Sequence, residues 1–267
     1  MIRANAMIAA AACLLLSAAG CGGSASTAQS GCSLGTLRGA YIYAQDGFII
    51  AGDMATDRTP FAQAGRELFN GDGTMSGMAT ENFDGVAGRL TYTGTYTVQP
   101  DCTGSVTFTD SNSVVSHYDI AIENGGAEFG FVQTDANVVT AAFERRRTAS
   151  RAPCSQLTLK GNYVYAGDGF DLPAPGSTDR TPFATAGREV YSGTGAISGI
   201  DTTSSNGVAV HSTYSSHYTL DADCLAAYTY NTDPTNPYDL YVDPSGAEFA
   251  YVATGAKRVA AGYERRR

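Results

Sequence analysis

The stretch Gly88-Arg89-Leu90-Thr91-Tyr92-Thr93-Gly94-Thr95-Tyr96-Thr97-Val98 decides the fold class. Leu90, Tyr92, Tyr96 and Val98 alternate with Thr91, Thr93, Thr95 and Thr97, a period of two that sets one face of an extended strand on a core and the other in water. The period returns further along, where Val210, Tyr214, Tyr218 and Leu220 alternate with His211, Thr213, His217 and Thr219. That return belongs to a larger repeat. Cys32–Phe108 realigns on Cys154–Tyr230 at a constant offset of 122, and Tyr118–Arg147 realigns on Tyr238–Arg267 at an offset of 120. A period of that length is a whole small domain, duplicated in tandem.

Around the opening stretch, short runs of Tyr, Val, Thr and Phe are punctuated by Gly, Asn and Asp, with no sustained helical period. The first repeat predicts eight strands, near Arg38–Gln45, Phe61–Asn70, Thr74–Asn82, Gly88–Val98, Gly104–Thr109, Val115–Glu123, Ala127–Thr134 and Val138–Arg146. Asn70-Gly-Asp-Gly73 and Glu123-Asn-Gly-Gly126 read as tight hairpin turns, since Asn and Gly tolerate positive φ. The expected fold is all-β: two tandem antiparallel eight-stranded up-and-down barrels, with β-sandwiches as the alternative. Closure removes exposed edges, and eight strands leave an interior that side chains fill or that holds one small ligand.

The expected domains are a signal peptide over 1–21, a flexible tether over 22–31, one barrel over 32–147, a linker over 148–153 and a second barrel over 154–267. Arg3, the apolar run Ala6–Leu16 and the small residues before Cys21 form a secretion signal. Ser17-Ala18-Ala19-Gly20-Cys21 resembles the lipobox of bacterial lipoproteins, with Ala18 where those proteins usually carry Leu. The resemblance implies lipidation of Cys21, a membrane-held acyl anchor and, with Gly22 following, an outer-membrane lipoprotein facing the periplasm or the cell surface. The duplication selects Cys32–Cys102 and Cys154–Cys224 as the economical disulfide pairing, one within each repeat. Such bonds persist outside the cytoplasm. No C-x-x-C spacing is present, so a metal site is not expected.

The chain also resembles the calycin-type barrels, the lipocalins and their relatives, and the allene oxide cyclase-like barrels. Lipocalins open their first strand with Gly-x-Trp under a late Arg. Gly39-Ala40-Tyr41 and Gly161-Asn162-Tyr163 stand in that place, with Arg145 and Arg265 available on the last strand, although the chain has no Trp. The resemblance implies a cation–π closure of one barrel end and, at the other, a lid formed by the connections Asp46–Pro60 and Asp168–Pro182.

From these readings the candidate ligand-binding residues are Tyr41, Tyr43, Phe48, Arg58, Arg66 and their repeat-two counterparts Tyr163, Tyr165, Phe170, Arg180 and Arg188. Tyrosines on an inward face can present hydroxyls to a ligand, and an Arg at a mouth can take a carboxylate or phosphate. Arg66 and Glu67 point to opposite faces, and an inward charge needs a partner. Glu128 or Glu144 is the expected partner of Arg66. His117, His211 and His217 share no face that could hold a metal, and no nucleophile or phosphate-loop motif is present. The basic ends Arg145–Arg147 and Arg265–Arg267 read as solvated strand ends. A net charge of −9 and a pI near 4.7 argue against nucleic acid. No cofactor and no catalytic residue are expected. The leading expectation is binding of a small apolar or amphiphilic molecule. The alternatives are a surface protein that docks an envelope protein or glycan through its loops, and an isomerase or cyclase type of enzyme.

Overall fold

A computed structural model describes residues 31–51, 58–123, 125–149 and 153–267. The proposed signal peptide, Cys21 and most of the tether lie outside the described residues. Alternating side chains and positive-φ turns cut the first repeat into β1 (Arg38–Ile50), β2 (Arg58–Asn70), β3 (Thr74–Phe83), β4 (Val86–Val98), β5 (Thr103–Asp110), β6 (Val115–Ile122), β7 (Glu128–Gln133) and β8 (Val138–Arg146). The second repeat gives β9 (Lys160–Asp171), β10 (Thr181–Ser192), β11 (Ala196–Ser205), β12 (Val208–Leu220), β13 (Leu225–Tyr230), β14 (Tyr238–Val242), β15 (Glu248–Ala253) and β16 (Arg258–Arg266). Each strand pairs antiparallel with the next. β8 returns to β1 with Glu144 opposite Tyr43, and β16 returns to β9 with Glu264 opposite Tyr165, which closes two barrels.

The anticipated turns hold Gly71, Gly73, Gly125 and Gly126 at positive φ. Between β3 and β4, Asp84 and Gly85 at φ 49° and 89° form a two-residue turn that Asn206 and Gly207 repeat. The connection expected over Asp46–Pro60 is shorter than predicted, because β1 continues to Ile50 and pairs Phe48 with Pro60 and Ile49 with Thr59. Gly47 reads as a breaker in sequence. In the fold it permits a close approach, since a Cβ there would strike the Val139 carbonyl. Residues 52–57 lie outside the described residues.

Each barrel is plugged at one end by a short 3-10 turn, Leu34–Thr36 or Gln156–Thr158, with Leu37 and Leu159 fully buried beside it. Tyr96 Oη donates to the carbonyls of this turn region at Leu37 (2.9 Å) and Leu34 (3.0 Å), and Tyr218 Oη contacts Leu159 and Gln156 in the same way. Disulfides Cys32–Cys102 and Cys154–Cys224 tie the plugs to their barrels. In the first barrel the cation–π closure is present, one residue later than expected. Arg146 lies 5.5 Å over Tyr41 and donates to its Oη at 3.0 Å, while Arg145 points outward. Strand alternation explains the difference, because neighbouring residues on β8 face opposite sides. The expected solvated strand end holds for Arg265–Arg267, which are exposed, and is corrected for Arg145–Arg147. Arg145 bonds Glu128 at 2.6 Å and Arg147 donates to the Val242 carbonyl at 2.9 Å.

Both barrels lie within one compact unit, Gly31–Arg267. The outer face of β1 and β2 carries Ile42, Ala44, Ala62 and Ala64, and these pack on Tyr241, Ala250, Val252, Val259 and Ala261 of the second barrel. Small side chains let the two sheets approach closely. Polar groups register the contact: Arg89 clasps Asp239 at 2.9 and 3.0 Å, and Asn82 Nδ2 reaches the carbonyls of Ala253 (2.8 Å) and Arg258 (2.9 Å).

Candidate functional site

Inside the first barrel, alternation turns Tyr43 and Gln45 of β1, Gln63 and Glu67 of β2, Tyr92 of β4 and Glu144 of β8 toward the axis. Glu144 does not pair with Arg66. Its carboxyl faces that of Glu67, with no hydrogen bond of normal geometry at Glu144 Oε2. Burial pushes Glu67 up to about 7, against the pull of its hydrogen bond from Tyr92. Burial and the Glu67 charge hold Glu144 well above the carboxylate range. The pair therefore retains a proton at neutral pH. Tyr92 Oη donates to Glu67 Oε1 at 2.8 Å, and Tyr43 Oη donates to Gln63 Oε1 at 3.1 Å.

Gln45 Nε2 donates to Gln63 Oε1 at 2.6 Å, and this amide pair forms a floor across the barrel. Below it, a cavity of about 20 Å³ remains around the glutamates, room for about one water. Above it opens a cup of about 310 Å³ between Ile49, Phe61, Phe83, Leu90, Phe108 and Val138. Its polar groups include Glu81, Asp110 and Tyr118. This volume lies in the range of small-molecule sites, roughly 300–1,000 Å³.

The second barrel repeats the carboxyl pair as Glu189 and Glu264, both raised by burial, with the Glu189 charge raising Glu264 further. Its surroundings differ at particular positions. Gly167 and Thr185 replace Gln45 and Gln63, so the amide floor is missing. Val138 becomes Arg258, which lies 4.5 Å over Phe183 and bonds Asp171 at 2.8 Å, occupying the mouth. Phe108, Phe131 and Val106 become Tyr230, Tyr251 and Tyr228. The result is an inner cavity of about 60 Å³, polar-walled and partly open to solvent.

The candidate residues named from sequence divide sharply. Tyr43 and Tyr165 face the interiors. Tyr41 and Tyr163 are sealed in the closed ends, donating to Gly126 O (2.5 Å) and Gly246 O (2.6 Å). Phe48 and Phe170 meet each other edge to face at 5.6 Å. Arg66 faces outward and bonds the Asp223 carbonyl. Arg180 joins Asp84 at 3.3 Å and the Arg58 carbonyl at 2.7 Å. Arg58 and Arg188 are exposed. The connection over 172–180, expected as a lid, is fastened to the neighbouring barrel, where Gly176 N bonds the Asp84 carbonyl at 2.9 Å. The three histidines sit at the surface beside Asp135, Thr202 and Asn231. Among the described residues no cluster of His, Cys, Asp and Glu has the form of a metal site.

Sequence reading missed the Glu67–Glu144 and Glu189–Glu264 pairs. The available signal was that both glutamates survive the duplication inside unchanged blocks, Ala64-Gly-Arg-Glu67 with Ala186-Gly-Arg-Glu189 and Glu144-Arg-Arg-Arg147 with Glu264-Arg-Arg-Arg267.

Compared with known proteins, the chain matches no protein-family model and no curated protein. Among solved structures it is similar to an AttH candidate from Nitrosomonas europaea, with 8% identity, 85% of this chain and 92% of that chain covered, and a TM-score of 0.27. A likeness at that level carries no argument, and the fold rests on the strand pairing described above.

Proposed function

We propose that this protein is an extracytoplasmic binding protein whose first barrel takes a small amphiphilic molecule in its open mouth. The observation that carries this reading is the cup of about 310 Å³, with apolar walls from Ile49, Phe61, Phe83, Leu90 and Phe108 over the Gln45–Gln63 floor. Apolar groups of a ligand would lie against the walls, while the amides and Tyr118 orient its polar end. Phe61 and Phe83 stack at 5.4 Å and hold one wall rigid, which lowers the cost of ordering on binding.

Two disulfides are the mark of an oxidising, extracytoplasmic compartment. No helix among the described residues is long and apolar enough to cross a membrane. Lipidation at Cys21 is the anchor we propose, and an outer-membrane position follows from the same lipobox resemblance. Docking of an envelope protein through the loops is the alternative for the same surface.

The raised carboxyls favour a second reading, proton transfer by an isomerase-type enzyme. The amide floor stands between Glu67 and the cup, so a substrate there would not touch the acid. We therefore assign no catalytic residue.

The test is titration with the neutral apolar fluorophore N-phenyl-1-naphthylamine. The wild-type chain should bind it saturably, and Leu90→Lys, which places a charge on the wall, should weaken binding at least tenfold. Equal binding by both proteins would remove the cup as the site.

A further inference from the structure

The cavity of the second barrel has a chemistry that the cup of the first does not share. Glu189 is buried, as is Glu264, and both line a space of about 60 Å³. Glu189 Oε2, Glu264 Oε2 and Tyr191 Oη carry no hydrogen bond of normal geometry. A third carboxylate, Asp201, faces the same space in place of Ala79 of the first barrel, within 3.4 Å of Tyr165 Oη. The only cation on the lining, Arg258, is already matched by Asp171. Tyrosine rings supply the remaining walls, among them Tyr228, Tyr230 and Tyr251.

We infer that this cavity is a receptor for the ammonium end of a small organic amine. Asp201, the acceptor oxygens of the Glu189–Glu264 pair and a ring of π faces favour a positive charge and disfavour an anion. The volume admits a few heavy atoms, so the charged end enters while an attached chain passes out beside Arg258 and Phe183. An ammonium carries three donors, enough to meet the open oxygens of Glu189 and Glu264. Metal chelation is a poorer match, since the described residues offer no metal-like cluster.

The duplication provides the control. Gln45, Gln63 and Phe131 of the first barrel correspond to Gly167, Thr185 and Tyr251. A Cβ at Gly167 would strike the Tyr251 hydroxyl, so the three positions change together. The triple variant Gly167→Gln/Thr185→Gln/Tyr251→Phe restores a packing that the first barrel already folds with, and it fills the cavity. It leaves the cup of the first barrel untouched.

The experiment is NMR titration of the full chain with n-butylammonium, n-butanol and butyrate at matched ionic strength. n-Butylammonium should shift resonances of the second barrel saturably, at millimolar concentration for so small a fragment. Its dissociation constant should rise at least tenfold in Glu189→Gln and binding should vanish in the triple variant. n-Butanol or butyrate binding as tightly would overturn the inference, as would n-butylammonium shifts that persist in the triple variant. Absence of binding by all three probes would also overturn it. None of these outcomes bears on the naphthylamine site of the first barrel.

Discussion

Glu67 and Glu144 set carboxyl against carboxyl at the centre of the first barrel, beneath a floor made by Gln45 and Gln63. The pair couples the fold to pH, because burial holds each carboxyl above its ordinary value and the Glu67 charge raises Glu144 further.

Stability should therefore fall as pH rises. Glu67 goes from 4.5 in the unfolded chain to about 7 in the fold, so its stabilisation is complete below about pH 4.5 and lost as pH climbs through about 7. The loss at pH 8 is on the order of 3 kcal/mol, by the conversion of pKa shifts into free energy. Denaturant midpoints measured at pH 4.5 and pH 8 should differ in that sense, and Glu67→Gln should flatten the difference.

Arg146 closes the barrel end through Tyr41 Oη (3.0 Å), Thr36 O (2.8 Å) and Gly125 O (3.3 Å). Arg146→Ala should destabilise the protein by about 2–3 kcal/mol, because the half-buried bonds to Tyr41 Oη and the Thr36 carbonyl lose a charged donor. Arg188→Ala, at an exposed position of β10, should change stability by less than about 0.5 kcal/mol. Urea denaturation of the two variants separates these outcomes.

Asn82 bridges the barrels through carbonyls of Ala253, Gly255 and Arg258. Asn82→Ala leaves these acceptors unmet and should cost about 1–3 kcal/mol. Calorimetry should then show the melting of the two barrels separating, where the wild type melts as one. A single unchanged transition would show that the apolar face of Ala44, Ala62, Ala64 and Ala250 couples the barrels unaided.

Cys154→Ser/Cys224→Ser frees the plug of the second barrel. The expected cost is about 2–5 kcal/mol, and the thermal midpoint of that variant should no longer respond to reductant at the second barrel. The Cys32–Cys102 bond of the first barrel should keep its response.

Composition and periodicity determined the all-β class and most of the strands, and the repeat offset the disulfide pairing, while closed barrels and sandwiches both remained open until the structure closed the sheets. Alternation, turn residues and a repeat offset are local or one-dimensional signals, and Tyr92 or Thr93 announces its face wherever it stands. The candidate sites were legible only in part. Tyr43 and Tyr165 were named and do face inward, whereas Arg66 and Arg180 were assigned to ligands and instead join the barrels. Their exposure depends on a second sheet that covers Ala62 and Ala64, which no period along one strand reveals. The meeting of Glu67 with Glu144 was likewise decided by closure, since β8 reaches the far side of β1 from β2 only after the sheet curls shut. Tertiary structure also decided what lines each mouth, because Val138 and Arg258 differ by one side chain whose reach matters only at the rim of a closed barrel.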